Sequence, residues 1–374
     1  MRKQTVLAGA RVVLPDGVID DGWVEIDDGT IVAIGSGRVA GPASDLGGSW
    51  LLPGFIDLHM HGGGGYDVTR SADAMAGAVR FHRSRGTTKT LVSLMAQPIA
   101  ALCTQLSWVA ALSTAGLVLG AHLEGPFLSE ARCGAQRPEN LSLPDPLVLR
   151  TLVEAGQGFL RTVTVAPELP GALEVIGDLT AAGVVAALGH TNATYEQAEA
   201  GFAAGATLAT HLFNAMGTFN HRAPGPSIAA LDSAAYLEMI NDGVHVHESL
   251  TRLVARAAAD RLIFITDAIS ATGVGDGQYT LGDQSVVVAD GQARLQHGHS
   301  LAGSTLTMDE AVRRAIKYVG LPIEVASAAA SGNPARALGI DDEVGAIEIG
   351  KIADLVILDR ALGVSAVLVA GDFS

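Results

Sequence analysis

Two histidines, His59 and His61, stand one residue apart in the run GFIDLHMH, and an extended chain directs both imidazoles to the same side. Further side chains that can bind a metal follow other apolar runs. They are Glu124 in HLEG, His190 in LGHT, His211 in THLF and Asp267 in ITDA. Imidazole and carboxylate donors without thiolates suit zinc, iron, cobalt or manganese. These residue types therefore predict a metal centre that activates water for hydrolysis.

These side chains can meet only if the apolar runs that carry them lie side by side. The middle of the chain alternates such runs with Ala-rich segments typical of helices, for example SADAMAGAVRFHRSRG and TYEQAEAGFAAG. The strand candidates are GFIDLHMH, TKTLVSLMA, LVLGAHLEG, LRTVTVAPE, VVAALGHT, TLATHLFNA, YLEMINDGV and LIFITDA. This alternation is typical of a (β/α)8 barrel, an α/β fold of the TIM type, whose strands end on the catalytic face. The metal-binding residues and Asp267 are therefore predicted to converge there.

The two ends of the chain follow a different pattern. Residues 1–50 contain short strands and a hairpin turn at Asp27, Asp28 and Gly29, and the tail contains GAIEIGKIADLVILD and VSAVLVAGD. We therefore expect residues 1–50 and 345–374 to form one small β-sandwich domain. Residues 51–344 are assigned to the barrel, with a β insertion at about 277–299.

The composition disfavours several classes of protein. The chain of 374 residues has 39 acidic against 24 basic residues and a net charge of -15, so it repels nucleic-acid backbones and anionic membranes. The uncharged stretch from Thr90 to Leu123 is divided by polar residues, Pro and Gly into pieces too short to span a membrane. Cys103 and Cys133 show no disulfide pattern, and no signal peptide is recognisable, so a cytoplasmic protein is expected.

The lysines restrict how two metals could be bridged. Barrel hydrolases commonly use a carboxylated lysine at the end of the fourth strand for this purpose. The lysines are Lys3, Lys89, Lys317 and Lys351, and none of them ends that strand. Glu124, at the end of the third strand, is therefore the better candidate for a bridging ligand.

Several longer motifs together resemble the N-acetylglucosamine-6-phosphate deacetylase family of the amidohydrolase superfamily. They are PGFIDLHMHGGGGYD, GAHLEGPFL, APE, LGHTNATYEQA, THLFNAM, NDGVHV, TDAISATG and LAGSTLTMDEA. The H-x-H element is shared across the superfamily, whereas LEGPF, GHTNAT and HLFNAM are more specific. The resemblance implies removal of the acetyl group from N-acetyl-D-glucosamine 6-phosphate in amino-sugar catabolism and cell-wall recycling.

The resemblance also implies a set of metal ligands. Glu124, His190 and His211 match the principal ligands, whereas His59 and His61 match a pair that binds a second metal in some members. Retention of both histidines favours two divalent ions per subunit. Zinc is the first candidate, with iron, cobalt and manganese as alternatives.

The same resemblance implies a second group of residues that take part in catalysis and substrate binding. Asp267 matches the carboxylate that takes a proton from water and returns it to the departing amine. Arg222 matches an arginine that reaches the substrate phosphate across a homodimer interface. The other substrate-binding positions are Asn214, Ala215, His245, Leu301, Ala302 and Gly303. Arg222 and His245 would supply the local basic groups that an acidic protein needs to hold a phosphate.

The loop after the third strand departs from the family pattern at two positions. The family has Gly-Ala-His where this chain has Gly134, Ala135 and Gln136. Gln136 can donate a hydrogen bond to substrate but cannot be cationic, so carbonyl polarisation would depend more on a second metal. Cys133 is unusual for the family; it is either an incidental thiol or a transient metal ligand or redox gate.

Other functions stay open at the level of the sequence. The same chemistry on N-acetylgalactosamine 6-phosphate would differ at one hydroxyl. Another cyclic-amide hydrolase or deaminase of the superfamily is disfavoured by the absent fourth-strand lysine and by the phosphate-binding elements. A barrel that had lost catalysis would be expected to lack metal ligands, and this chain retains them all together with Asp267.

Overall fold

The computed structural model describes residues 4–298 and 300–374, and the chain divides into two compact units. One unit comprises Met1–Asp57, His82–Lys89 and Thr307–Ser374. The other comprises Leu58–Phe81 and Thr90–Leu306. The domain boundaries given above from the sequence stay a prediction.

Eight strands form one parallel sheet, and each is hydrogen-bonded to the next in chain order. Their bounds are Phe55–Asp57, Thr87–Met95, Gly120–Glu124, Leu160–Val165, Val185–Leu188, Leu208–Ala209, Tyr236–Ile240 and Leu262–Ile265. Beyond the first and eighth strands, a parallel bridge joins Met60 to Ala268. The sheet is therefore a nearly closed barrel, and the predicted (β/α)8 fold is confirmed. Each strand candidate predicted from the sequence overlaps one of these strands.

Helices connect the barrel strands and cover them with their apolar faces. Their bounds are Ala72–Arg83, Ile99–Thr114, Pro146–Ala155, Ala172–Ala181, Tyr195–Ala203, Gly225–Asp232 and Glu248–Ala258. The start of Tyr195–Ala203 illustrates how the sequence sets a boundary. Thr194 accepts a hydrogen bond from the Gln197 N–H and the Gln197 side chain accepts one from the Thr194 N–H, which completes a capping box. Leu102, Leu106 and Val175 are among the helical residues buried in the barrel core.

Strands from both ends of the chain form a second eight-stranded sheet, as the pairing of the termini predicted. Their bounds are Gln4–Leu14, Gly17–Asp27, Thr30–Ser36, Ser44–Asp45, Trp50–Pro53, Leu355–Leu358, Val364–Val369 and Asp372–Phe373. Asp28 and Gly29 form the expected hairpin turn, both with positive φ. The helices Met308–Arg314, Ile323–Ser327 and Asn333–Ala337 belong to the same unit.

The predicted β insertion is a three-stranded antiparallel sheet of Gly277–Leu281, Gln284–Ala289 and Gln292–Leu295. Its apolar face packs with Met95, Ile269 and Ala302 in a small core of its own. Single turns of 3-10 helix occur at Glu130–Arg132 and Pro138–Asn140, in the loop after the third barrel strand. Within residues 4–298 and 300–374, no helix has the length and apolar character needed to cross a membrane.

Candidate active site

The predicted metal-binding residues and Asp267 lie together where the barrel strands end. His59 and His61 follow the first strand, and Glu124 is the last residue of the third. His190, His211 and Asp267 are each the second residue after the fifth, sixth and eighth strands, with positive φ of 46°, 28° and 49°. Non-glycine residues rarely adopt this conformation, and strain of this kind concentrates at functional sites. All of these side chains are buried; Asp267 is the most accessible, at 8%.

Glu124 belongs to both metal-binding groups that the described residues form. One group is His59, His61 and Glu124, and the other is Glu124, His190 and His211. Glu124 Oε1 lies 3.0 Å from the Nε2 atoms of both His190 and His211. On the other side, Glu124 Oε1 is 3.3 Å from His59 Nε2 and Oε2 is 3.4 Å from His61 Nε2. This carboxylate therefore has the position of a bridge between two groups.

The hydrogen bonds around these imidazoles fit a bound cation. His61 Nδ1 donates to the Ser93 carbonyl at 3.1 Å and His190 Nδ1 donates to the Arg132 carbonyl at 2.8 Å. In the neutral rings, the Nε2 lone pairs are then left to face the cluster. His59 Nε2 is 3.0 Å from His61 Nε2, and His190 Nε2 is 3.1 Å from His211 Nε2. Lone pairs at this spacing repel one another unless a proton or a metal ion, with ligands at about 2.0–2.2 Å, lies between them.

The pKa shifts of these groups indicate that the cluster favours positive charge among its members. Burial opposes the charge on His61, but its hydrogen bonds to Asp267 and Glu124 raise its pKa to about 9. Burial likewise opposes the charge on His59, yet Glu124 and Asp267 raise its pKa well above the usual value. Burial would raise the pKa of Glu124, but His59 and His190 hold it well below its usual range. A divalent cation can take the place of the protons on these histidines.

Glu238 contacts two of the metal-binding residues, and the sequence reasoning did not identify it. Its Oε2 lies 3.5 Å from His59 Nδ1 and accepts a hydrogen bond from the His211 backbone N–H at 3.3 Å. The side chain is 2% exposed. The sequence feature that could have identified Glu238 is a single carboxylate inside the apolar strand Tyr236–Ile240. A buried charge needs partners, so such a residue is expected to contact other polar groups.

His122 occupies the barrel interior next to His59. Its ring centre is 4.5 Å from that of His59, in an edge-on arrangement. Its Nδ1 is 3.0 Å from Ser93 Oγ and its Nε2 is 2.8 Å from Thr164 Oγ1. Burial and the neighbouring charge of His59 lower the pKa of His122 well below its usual value. A neutral imidazole, held by two hydroxyls, therefore packs against a metal-binding histidine.

A cavity of about 370 Å³ opens over the cluster. This volume falls within the range of small-molecule sites. Of the residues with a predicted substrate role, those lining it are Gln136, Asn214, Ala215, His245, Leu301 and Gly303. Ala302 is fully buried, with its N–H bonded to the Ala293 carbonyl, and does not line this cavity.

Gln136 uses both ends of its amide inside the protein. Its Oε1 accepts a hydrogen bond from the Ala96 N–H at 2.9 Å, so its Nε2 faces Glu124 and donates to Oε2 at 2.6 Å. The expectation for this residue was a hydrogen bond to substrate. That expectation stays a prediction; within the described contacts, the amide orients the carboxylate shared by the two metal-binding groups.

His245 and Asn214 are held on the cavity wall by local contacts. His245 Nδ1 donates to Asp242 Oδ2 at 2.7 Å. Burial lowers the pKa of His245, but the hydrogen bond to Asp242 outweighs this and raises it above its usual value. Asn214 Nδ2 donates to the carbonyls of His211 and Leu212, at 3.2 Å in each case.

Arg222 and Cys133 do not line the cavity of this chain. Arg222 is exposed and contacts His221 at 2.8 Å. Cys133 is a half-buried free thiol whose pKa burial raises, and it belongs to neither metal-binding group found among the described residues. The roles expected of both residues stay predictions.

Comparison with known proteins adds independent information. A model of the amidohydrolase family matches residues 50–373. The N-acetylgalactosamine-6-phosphate deacetylase of Escherichia coli O157:H7 is 37% identical over 375 residues, covering 99% of each chain. The N-acetylglucosamine-6-phosphate deacetylase of Bacillus subtilis is 35% identical over 391 residues, covering 100% of this chain and 98% of the relative. A mutant of the Mycobacterium smegmatis N-acetyl-D-glucosamine-6-phosphate deacetylase, solved with N-acetyl-D-glucosamine-6-phosphate, superimposes with a TM-score of 0.96 at 42% identity over 99% of both chains.

Proposed function

Because the chain belongs to the amidohydrolase family, we propose that it hydrolyses the acetamide of N-acetyl-D-glucosamine 6-phosphate to acetate and D-glucosamine 6-phosphate. The observation that carries this proposal is the cluster of Glu124, four histidines and Asp267 at the ends of the barrel strands; all of them except His59 line one cavity. Relatives with this activity in their names align with nearly the whole chain, which supports the substrate.

The cofactor in this proposal is a pair of divalent ions, with zinc the first choice. One ion would be held by His59, His61 and Glu124, and the other by Glu124, His190 and His211. When bound, such a metal lowers the pKa of water to about 7 and polarises a carbonyl oxygen.

Asp267 is the proton carrier of the proposed reaction. Its Oδ1 lies 3.3 Å from His61 Nε2 and 3.6 Å from His59 Nε2, so it faces the metal-binding group. Burial would raise the pKa of Asp267, but His59 and His61 hold it below its usual value, which keeps it ionised. The carboxylate takes a proton from the attacking water and delivers it to the amide nitrogen, because an amine cannot leave without one.

Substrate positioning is assigned to the remaining cavity residues. Asn214, Ala215 and His245 are proposed to bind the sugar phosphate, and Leu301 and Gly303 to contact the acetyl and sugar groups. Arg222 is exposed and lies outside the cavity lining, so its proposed contact with phosphate requires a second subunit. We therefore propose a homodimer, and the two unpaired cysteines support a reducing compartment such as the cytoplasm.

A second candidate substrate is N-acetylgalactosamine 6-phosphate. The specific observation in its favour is the Escherichia coli relative of that name, which aligns with 99% of this chain. The two sugars differ in the orientation of one hydroxyl, so the metal centre and Asp267 would act on both in the same way.

The deciding experiment measures acetate release by zinc-loaded protein. The substrates are N-acetylglucosamine 6-phosphate, its unphosphorylated form and N-acetylgalactosamine 6-phosphate. We expect rapid release from the first, with at least a 100-fold lower kcat/KM for the unphosphorylated sugar. Faster turnover of the galactosamine compound would select the second candidate. No release from either phosphorylated sugar, with zinc demonstrably bound, would refute both.

A further inference from the structure

Arg132 lines the catalytic cavity and carries a guanidinium group. Among the described residues that line this cavity, it is the only arginine or lysine. It ends the single helical turn Glu130–Arg132 in the loop after the third barrel strand. Its carbonyl accepts the hydrogen bond from His190 Nδ1 at 2.8 Å, so its backbone is fixed against a metal-binding residue.

The side chain of Arg132 has no carboxylate partner in the described part of the chain. Its Nε donates to Asn192 Oδ1 at 2.9 Å, which orients the guanidinium without neutralising it. The nearby Glu168 binds the Asn192 N–H at 2.6 Å and the Thr191 hydroxyl instead. In a protein with a net charge of -15, a guanidinium without a carboxylate partner at the catalytic cavity is suited to an anionic ligand.

The neighbours of Arg132 place it beside the segment that follows the sixth barrel strand. Asn192, its side-chain partner, comes directly after Thr191, whose N–H donates to the Ala215 carbonyl at 3.0 Å. Ala215 and the adjacent Asn214 line the same cavity and are the residues proposed above to bind phosphate. The guanidinium therefore lies at the side of the cavity where the phosphate is proposed to bind.

We propose that Arg132 binds the phosphate group of the substrate from within the same subunit and is a specificity-determining residue. The inference rests on the proposed function and extends it, because Arg222 would act only from a neighbouring subunit. The Arg132 guanidinium can donate two parallel hydrogen bonds to phosphate oxygens while its Nε stays bonded to Asn192. The subunit then has a phosphate-binding cation that does not depend on dimer formation.

Arg132→Gln tests this role, with Arg137→Gln as the matched control. Arg137 lies in the same loop, but it is paired with Glu139 at 3.0 Å, bonded to the Asp283 carbonyl, and outside the lining of this cavity. We expect Arg132→Gln to raise KM for N-acetylglucosamine 6-phosphate at least 10-fold and to change kcat less than 3-fold. Activity on the unphosphorylated sugar should stay unchanged, and Arg132→Lys should restore part of the affinity. Arg137→Gln should leave all of these constants at the wild-type values.

Two further measurements separate this role from a structural one and from the proposed function itself. Zinc content should be equal in the wild type, Arg132→Gln and Arg137→Gln. A loss of zinc in Arg132→Gln would overturn the proposal. A loss of its activity on the unphosphorylated sugar as large as that on the phosphorylated sugar would also overturn it. Equal KM values in Arg132→Gln and Arg137→Gln would overturn it while the deacetylase activity stands. If the wild type does not hydrolyse the phosphorylated sugar, the role of Arg132 is tested by measuring the binding of inorganic phosphate to the wild type, Arg132→Gln and Arg137→Gln. Weaker binding in Arg132→Gln alone supports the role, and equal binding in all three proteins refutes it.

Discussion

Two groups of charges in this molecule are built in opposite ways. In the unit that contains the terminal sheet, Lys89 Nζ lies 2.7 Å from Asp354 Oδ2, and Asp354 Oδ1 accepts a hydrogen bond from the Ala370 N–H at 2.8 Å. At the ends of the barrel strands, carboxylate oxygens of Glu124 and Asp267 face imidazole nitrogens that face one another. The first group is complete within the chain, whereas the second requires protons or a metal.

The comparison distinguishes charges that stabilise the fold from charges that are arranged for binding or reaction. A buried ion pair whose members satisfy each other holds segments together, and the loss of one member is destabilising. The barrel cluster instead has three of its members, His190, His211 and Asp267, in the left-handed backbone region. Such strain persists only where the surrounding structure enforces it, and it is typical of sites that bind or react.

The largest expected effect comes from Asp267→Asn. An amide at this position cannot take a proton from water, so kcat for acetate release should fall at least 10³-fold. Zinc content and the midpoint of thermal unfolding should stay close to the wild-type values, because Asn has nearly the same shape. Substantial residual activity with zinc retained would remove Asp267 from proton transfer.

Lys89→Met should lower stability and leave activity unchanged, the converse of Asp267→Asn. It leaves Asp354 buried without its cation, and we expect the free energy of unfolding to fall by about 3 kcal/mol in denaturant titrations. The kcat/KM of the folded protein should be unchanged. The double variant Lys89→Met with Asp354→Leu is the control, since removal of both charges should recover most of the lost stability. A double variant as unstable as Lys89→Met would show that the side-chain shapes, rather than the charges, stabilise this region.

Glu238→Gln should weaken metal binding by a smaller amount. The substitution keeps the shape but removes the negative charge next to His59 Nδ1, and outer contacts of this kind typically contribute 10–100-fold to metal affinity. Competition with a chelator should show one weakened zinc equivalent per subunit. Glu168→Gln is the control, because Glu168 bonds to Thr191 and Asn192 and to no metal-binding side chain. Equal zinc affinity in the two variants would assign Glu238 a purely structural role.

The smallest expected effect concerns pH and the pair of His245 and Asp242. The pKa of His245 is raised in the folded protein, so its contribution to stability is full below the unfolded pKa of about 6.5. That contribution is lost as the pH rises through the higher folded pKa. The free energy of unfolding of the wild type, minus that of His245→Gln, should therefore fall as the pH rises from about 6.5 through the folded pKa. A difference that does not change with pH would contradict the raised pKa.

The sequence could predict the residues at the ends of the strands because the signals are local. Apolar runs showed the barrel strands, and a histidine or acid at the end of a run must lie at the catalytic face of a parallel barrel. The capping box at Thr194 and the hairpin at Gly29 are equally local, since each depends on residues a few positions apart.

What the sequence by itself determined is thus the barrel, the pairing of the two ends of the chain and the set of residues at the strand ends. Only the tertiary structure decided that Glu238 approaches His59 and that Gln136 binds Glu124. It also decided that Arg132 lines the cavity with no carboxylate partner among the described residues. Glu238 and His59 are 179 residues apart, and Gln136 is 12 residues from Glu124 in an irregular loop, so these contacts depend on how strands and loops are placed in space. The hydrophobic pattern of the sequence predicts each strand separately, whereas side-chain contacts across a barrel form only when all of the strands have assembled.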